Sequence, residues 1–210
     1  MFLVAASSTA VGTSPNLDQV FSAAPPDARA AFELAGTTLV HRDSGFRCPA
    51  VVASMTLTGV EVLPIPGLSG VYGAACRYGD VHGPESALFF SNERPNREVL
   101  SRAYCQALAG TFGATLRRGL PGANRMVGPD QVLSFGEVPV RGQPSRLWSC
   151  AWVRAPFSMQ DEAVRVAMVR ASDGWTVRAV QIPQPQSGPV VQLSYALRTI
   201  LLIRAAVGAP

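Results

Sequence analysis

Lysine is missing altogether from this 210-residue chain, and its 18 basic side chains are all arginine. Without lysine there is no Schiff-base nucleophile, no pyridoxal-phosphate enzyme built on one, and no P-loop lysine reaching for a phosphate. Histidine is nearly as scarce, with only His41 and His82. A His-rich zinc site therefore has almost nothing to be made from, and the HExxH pattern of zinc proteases does not occur. Charge is sparse as well: acidic and basic residues make up 15% of the chain against 48% hydrophobic residues, well below the usual quarter. Such a chain is too apolar to be disordered. No stretch of about eighteen apolar residues is free of charge, so no transmembrane span is expected. Arginine at every basic position, beside abundant alanine, is the composition of a GC-rich gene, which is the simplest account of the missing lysine.

What is present bounds the body of the protein. The length suits one domain. A formal charge of +4 and a pI near 9.2 are mild, and Arg117–Arg118 is the only adjacent basic pair, so no nucleic-acid stripe is expected. Residues 1–16 begin with MFLVAASSTAVG, a short apolar run passing into small residues, and the first basic residue is Arg29. They read as the remnant of a secretory leader or as a disordered tail, ahead of a single domain over 17–210. Cys48, Cys76, Cys105 and Cys150 are dispersed, with no Cys-x-x-Cys pair. Four such cysteines fit two disulfides in an oxidising compartment, with three possible connectivities, or four buried thiols. Pairing Cys48 with Cys76 and Cys105 with Cys150 would tie the start of a sheet to its hairpin and a helix to the strand beneath it.

Along the chain, Pro25-Pro26-Asp27 predicts a short helix through Glu33 and Leu34, stopped by Gly36. Thr37 to Arg42 reads as the first strand, and Pro49 forbids a helix around it. Strands follow at Leu57–Leu63, Val71–Tyr78 and Ser86–Phe90, the last two joined as a hairpin. A helix is expected near 95–110, with Val99, Leu100, Ala103, Tyr104 and Ala107 on its apolar face, and a Gly-rich loop over 111–129. Gln131–Val140 and Arg146–Arg154 form one hairpin, and Glu162–Arg170 and Trp175–Ile182 another through Asp173-Gly174. Pro189 opens a closing helix over 190–207 that is apolar almost all round, as a buried or partner-covered helix is. The fold class is therefore α+β: an antiparallel sheet of about six to eight strands covered by helices near 95–110 and 190–207.

Few constellations carry chemistry. Gly67-Leu68-Ser69-Gly70-Val71 approaches a nucleophile elbow but lacks its last glycine and a following helix. Cys76, Asp80 and His82 are the one place where a thiol, an imidazole and an orienting carboxylate cluster, with Arg77 able to lower the thiol pKa. Cys48, Cys76, His41 and His82 are zinc ligand types without zinc spacing, and no metal or other cofactor is expected. Asp161-Glu162, the adjacent acidic pair, sits at a turn. Trp148, Cys150 and Trp152 share one face of a strand, flanked on that face by Arg146 and Arg154. That stripe is either core or a stacking platform for an anionic or sugar-like ligand.

Gly45-Phe46-Arg47-Cys48-Pro49 before a hairpin, and Trp175-Thr176-Val177-Arg178 before a C-terminal helix, resemble short motifs in exported, uncharacterised proteobacterial domains. The resemblance spans roughly 40–205. It implies an α/β/α architecture similar to the photosystem extrinsic protein PsbP and its relatives, which are non-catalytic, and it carries no catalytic residues. Cys48 departs from the apolar residue commoner at its position. The expectation is a non-enzymatic domain exported to the periplasm or envelope, binding a protein partner or small ligand but no nucleic acid. The alternatives are a small hydrolase or thiol enzyme using Cys76, His82 and Asp80, and a structural subunit. The latter would associate, for instance as a homodimer, through Leu193, Leu197, Ile200 and Leu202.

Overall fold

Glycines and short polar turns between alternating apolar runs fold most of this chain into antiparallel hairpins. The computed structural model describes residues 16–64, 72–80, 83–92, 126–127, 132–154, 162–181 and 189–208. Helices α1 (Leu17–Ala23) and α2 (Pro26–Ala31) come first, then a small sheet of β1 (Phe32–Ala35), β2 (Thr38–His41) and β3 (Arg47–Pro49). The large sheet contains β4 (Val51–Val52), β5 (Met55–Pro64), β6 (Tyr72–Asp80), β7 (Gly83–Asn92), β8 (Met126–Val127), β9 (Val132–Val140), β10 (Gln143–Arg154), β11 (Glu162–Arg170) and β12 (Trp175–Gln181). Helix α3 (Pro189–Val207) closes the chain. Strand order is β4-β5-β6-β7-β12-β11-β10-β8, with β9 also paired to β10. Two antiparallel meanders thus meet where β7 pairs with β12.

The α+β class holds, but sheet dominates and two expected elements change. The first helix does not run through Leu34: it stops at Ala31, and Phe32–Ala35 pairs with Thr38–His41 as a hairpin. Gly36 is the turn residue of that hairpin, at φ +62, a conformation open to glycine. The expected helix rested on its proline start and the Gly36 stop, whereas Phe32 and Leu34, two residues apart, carry strand spacing, and Phe32 is fully enclosed in the small sheet. Met126–Val127, inside the expected loop over 111–129, forms β8 against Val153 and Arg154. Helix α1 was not anticipated; the Asn16 side chain caps it by accepting from the Asp18 N–H at 3.1 Å. The helix expected at 95–110 lies outside the described residues.

The remaining hairpins follow their turns. Val140 pairs with Gln143 across Arg141-Gly142, both at positive φ (51° and 77°), the geometry of a type I′ turn. Arginine is an uncommon residue there. Its guanidinium is held by Asp173 and the Ser44 carbonyl, and lies 5.7 Å from the Phe46 ring centroid. Arg141 so ties the β9–β10 and β11–β12 turns to the small sheet. The second turn closes through Gly174 at φ +96, with Ala171 and Trp175 hydrogen-bonded at 2.7 Å.

Alternation gives the large sheet two faces. Tyr78, Leu88, Phe90, Val169, Val177 and Ala179 point to the first face and join the main core with α1, α2, the small sheet and α3. Ala75, Phe89, Met168, Val166 and Val180 occupy the second face; they are buried as well but lie outside that core. Both faces are therefore interior, which is why the strands read as nearly continuous apolar runs. On α3, Thr199, Leu202, Ile203 and Ala206 face the sheet, while Leu197 and Leu201 are exposed. Among the described residues no helix is long and apolar enough to cross a membrane.

Between the small sheet and the first face runs a disulfide, Cys48 to Cys76, with Cα atoms 6.3 Å apart and both residues at 0% exposure. This is one of the two pairings expected from the sequence; Cys105 lies outside the described residues. The bridge closes a loop of 28 residues in sequence, which limits the unfolded chain by about 3 kcal/mol. The double variant Cys48→Ala/Cys76→Ala should therefore lose about 3 kcal/mol or more in urea unfolding. Added reductant should lower the wild-type midpoint and leave the variant unmoved; a wild type indifferent to reductant would contradict this.

Candidate functional site

Among the described residues, an accessible arginine, tryptophan and carboxylate meet on the second face at β9 and β10. Gly136, at φ +83, sits in a bulge of β9: the register shifts between Arg146, opposite Glu137, and Trp148, opposite Ser134. Strand β10 stays regular past the bulge. Leu147 and Ser149 turn into the interior, and Arg146 and Trp148 turn the other way. The Arg146 guanidinium carbon stands 5.5 Å from the centroid of the Trp148 ring. At an exposed position this cation–π contact is worth about 0.5–1 kcal/mol, enough to hold the guanidinium over the indole. Arg146 is exposed, Trp148 is half-buried, and Glu137 is exposed directly across from Arg146. An aromatic face thus carries a donor on one side and has a carboxylate on the neighbouring strand.

Behind this edge the second face becomes interior. Trp148 is opposite Met168, Met168 opposite Arg178, and Arg178 opposite Phe89. Arg178 is only 2% exposed and donates from Nη1 to Ser91 Oγ at 2.7 Å. Arg170 is half-buried opposite Thr176. Arg77 pairs with Glu61 at 2.6 Å on the same face further along. The face therefore places guanidinium groups among apolar residues, Arg77 paired with Glu61 and Arg178 hydrogen-bonded to Ser91.

Of the four ligand candidates, Arg146 and Trp148 lie against one another on one face of β10. The register places Trp152 opposite Val164 and Arg154 opposite Met126; their side chains, like that of Cys150, lie outside what is described. Glu137 was missed. Its proximity depends on the turn falling at Arg141-Gly142 rather than one residue later, a detail that the alternation pattern does not specify.

In the expected constellation of Cys76, Asp80 and His82, Cys76 is not a free thiol. Cys76 is bridged to Cys48 and fully enclosed on the first face, whereas Arg77 projects from the second face onto Glu61. A strand reverses its side chains at every residue, so Arg77 cannot serve the sulfur beside it. Asp80 begins the turn opposite Gly83, and His82 lies outside the described residues, as does the Gly67–Val71 segment. With both sulfurs committed to the bridge, the zinc set of Cys48, Cys76, His41 and His82 loses two ligands.

His41 is a core histidine. Its ring is enclosed by Phe32 and Trp175, each with its centroid at 5.3 Å, and by Phe90 at 5.8 Å. Nδ1 accepts from the Ser44 backbone N–H at 3.3 Å and lies 2.8 Å from Ser44 Oγ, which accepts from the Phe46 N–H. Burial lowers the His41 pKa from its ordinary 6.5, with the Asp43 carboxylate opposing the shift. Burial likewise pushes the Tyr78 phenol above its usual range; its hydroxyl donates to the Pro49 carbonyl at 3.0 Å. The expected dimer face is also divided: Leu202 is in the core and Ile200 is half-buried against it, while Leu197 is exposed at 53%. A helix cannot present residues 197 and 202 to one partner when they lie on opposite sides of its axis.

Comparison of the chain with protein families, with curated proteins and with solved structures found no match.

His41 makes folding pH-dependent in a defined direction. Folded His41 resists protonation, so below pH 6.5 the unfolded chain binds a proton that the folded one refuses. Its contribution is complete above that pH and is lost as pH falls towards the lowered folded value. Urea midpoints between about pH 8 and pH 5 should fall in the wild type more steeply than in His41→Gln. Parallel profiles would contradict a neutral, buried imidazole.

Proposed function

We propose that this chain is a non-enzymatic domain exported to the bacterial periplasm or envelope, which binds a sugar-like ligand or glycan-bearing partner at the β9–β10 edge. The observation that carries this reading is the Arg146–Trp148 stack at that edge, with Glu137 opposite. An aromatic face binds the apolar face of a sugar ring, and charged groups beside it take the hydroxyls; a site built this way needs orientation rather than a nucleophile. Glu137 beside Arg146 favours a polyhydroxylated ligand over a plain anion, because the carboxylate accepts hydroxyl protons and repels negative charge.

Export is supported by the Cys48–Cys76 bridge, since structural disulfides persist in oxidising compartments. The same bridge removes the nucleophile on which the thiol-enzyme alternative rested. A binding role agrees with the non-catalytic exported domains that the Gly45–Pro49 and Trp175–Arg178 motifs resemble.

Two measurements test this reading. Protein directed to a periplasm should show the Cys48–Cys76 pair alkylated only after reduction, by intact mass and peptide mapping; alkylation before reduction would remove the support for export. Tryptophan emission should shift on titration with neutral oligosaccharides such as maltohexaose or chitohexaose, and Trp148→Ala should weaken that binding at least about tenfold. Binding unaffected by Trp148→Ala and Arg146→Ala, or absent across the panel, would overturn the site.

A further inference from the structure

The β9–β10 site has a basic neighbour on the next strand. Trp148 on β10 stands opposite Met168 on β11. Two residues further towards the turns, the same antiparallel register sets Arg170 abreast of Arg146, on the face that carries both. The two hairpins stay together past that point, because Arg141 at the β9–β10 turn holds Asp173 at the β11–β12 turn. Glu137 lies opposite Arg146 on its other side, and Thr176 lies opposite Arg170. One row across the sheet therefore reads Glu137, Arg146, Arg170 and Thr176, with the Trp148 ring beside it against the Arg146 guanidinium.

Like charges on directly facing strand positions destabilise a sheet. Facing residues have Cβ atoms about 4.5–5.5 Å apart, a spacing at which two guanidinium groups can share one anion. Arg146 is exposed and Arg170 half-buried, so the pair is open to solvent at one member and partly shielded at the other. Partial shielding strengthens a charge-assisted hydrogen bond relative to one in bulk water. Glu137 and Arg170 lie on opposite sides of Arg146. The row thus separates an acceptor of hydroxyl protons from a cationic pair, with an aromatic ring beside both.

We infer that Arg170 is a specificity-determining residue of this site, and that the ligand is an acidic saccharide whose carboxylate it binds together with Arg146. The inference rests on the glycan reading above and narrows it from sugars in general to carboxylated ones. A planar guanidinium fork matches a carboxylate through two parallel N–H···O bonds. Stacking on Trp148 lays the sugar along the row; hydroxyls at one end of the ring reach Glu137, and the carboxylate at the other reaches Arg170. A carboxylate at the Glu137 end would be repelled, so charge fixes the direction in which the sugar lies.

The test is binding of oligogalacturonate and of hyaluronan oligosaccharides to the full, disulfide-bonded chain, each beside its own fully methyl-esterified form. Esterification removes the charge and keeps the ring and its hydroxyls. Tryptophan emission should report the acids binding at least about tenfold more tightly than their esters at low salt, an advantage that shrinks as salt rises. Arg170→Gln should erase the advantage and leave ester binding unchanged. Arg170→Lys, which keeps the charge without the fork, should lose part of it and serves if Arg170→Gln does not fold. Acids and esters bound alike through Trp148, or an advantage that survives Arg170→Gln, would overturn the acid specificity and leave the glycan site standing. Binding of neither form would overturn the glycan reading and this inference together.

Discussion

The Cys48–Cys76 bridge is the constraint on which the arrangement of the two sheets depends. It joins β3 of the small sheet to β6 of the large one at full burial. Around it Phe46, Leu39, Phe32 and Phe90 are enclosed together. The small sheet has only three strands, of four, four and three residues, which leaves it little interior of its own. It gains its stability from apolar burial against the first face of the large sheet and from this covalent anchor. Arg141 repeats the connection at the other end, gripping Asp173 and the Ser44 carbonyl and lying against Phe46. His41 then completes the layer as a neutral ring between Phe32 and Trp175, fixed by Ser44.

How much of this was legible in the sequence depended on the range of the signal. Hairpins set by local turn chemistry were legible: β6–β7, β9–β10 and β11–β12 lie close to where alternation and Gly-Asp or Asp-Gly placed them. The closing helix was marked by Pro189 and Gly208, and Gly208 takes φ +72 beyond its last turn. Along the strand expected at 175–182, Trp175, Val177 and Ala179 face the main core while Thr176, Arg178 and Val180 face away, because period two is a property of the strand itself. What depended on distant partners was not legible. The proline start at 25–26 and Gly36 bracket a helix that would include Phe32 and Leu34, and pairing with His41 and Leu39 makes them a strand. Which face of β10 would be accessible could not be read either, since strands buried on both sides lose their polar alternation.

The candidate site shows the same division. Arg146 and Trp148 were placed together by alternation along one strand, and they stack. Glu137 arrives from another strand, through a type I′ turn with arginine at positive φ, a choice the sequence does not advertise. Cys76, Asp80 and His82 were close in sequence and looked like a constellation, yet the strand commits Cys76 to the interior and to Cys48. Sequence proximity suggested catalysis there, and pairing geometry replaced it with a structural bond. The resulting picture is a two-faced sheet, covalently pinned on one side, with Arg146, Trp148 and Glu137 brought together at the β9–β10 edge.

Hydrogen exchange of the oxidised and the reduced full-length protein, compared strand by strand, tests the role of that bond most directly. If the bridge anchors the small sheet, reduction should strip protection from the amides of β2 and β3 while those of β6, β7 and β12 stay protected. Protection lost evenly across both sheets, or unchanged in β2 and β3, would mean that packing alone holds the layers together and would contradict the account.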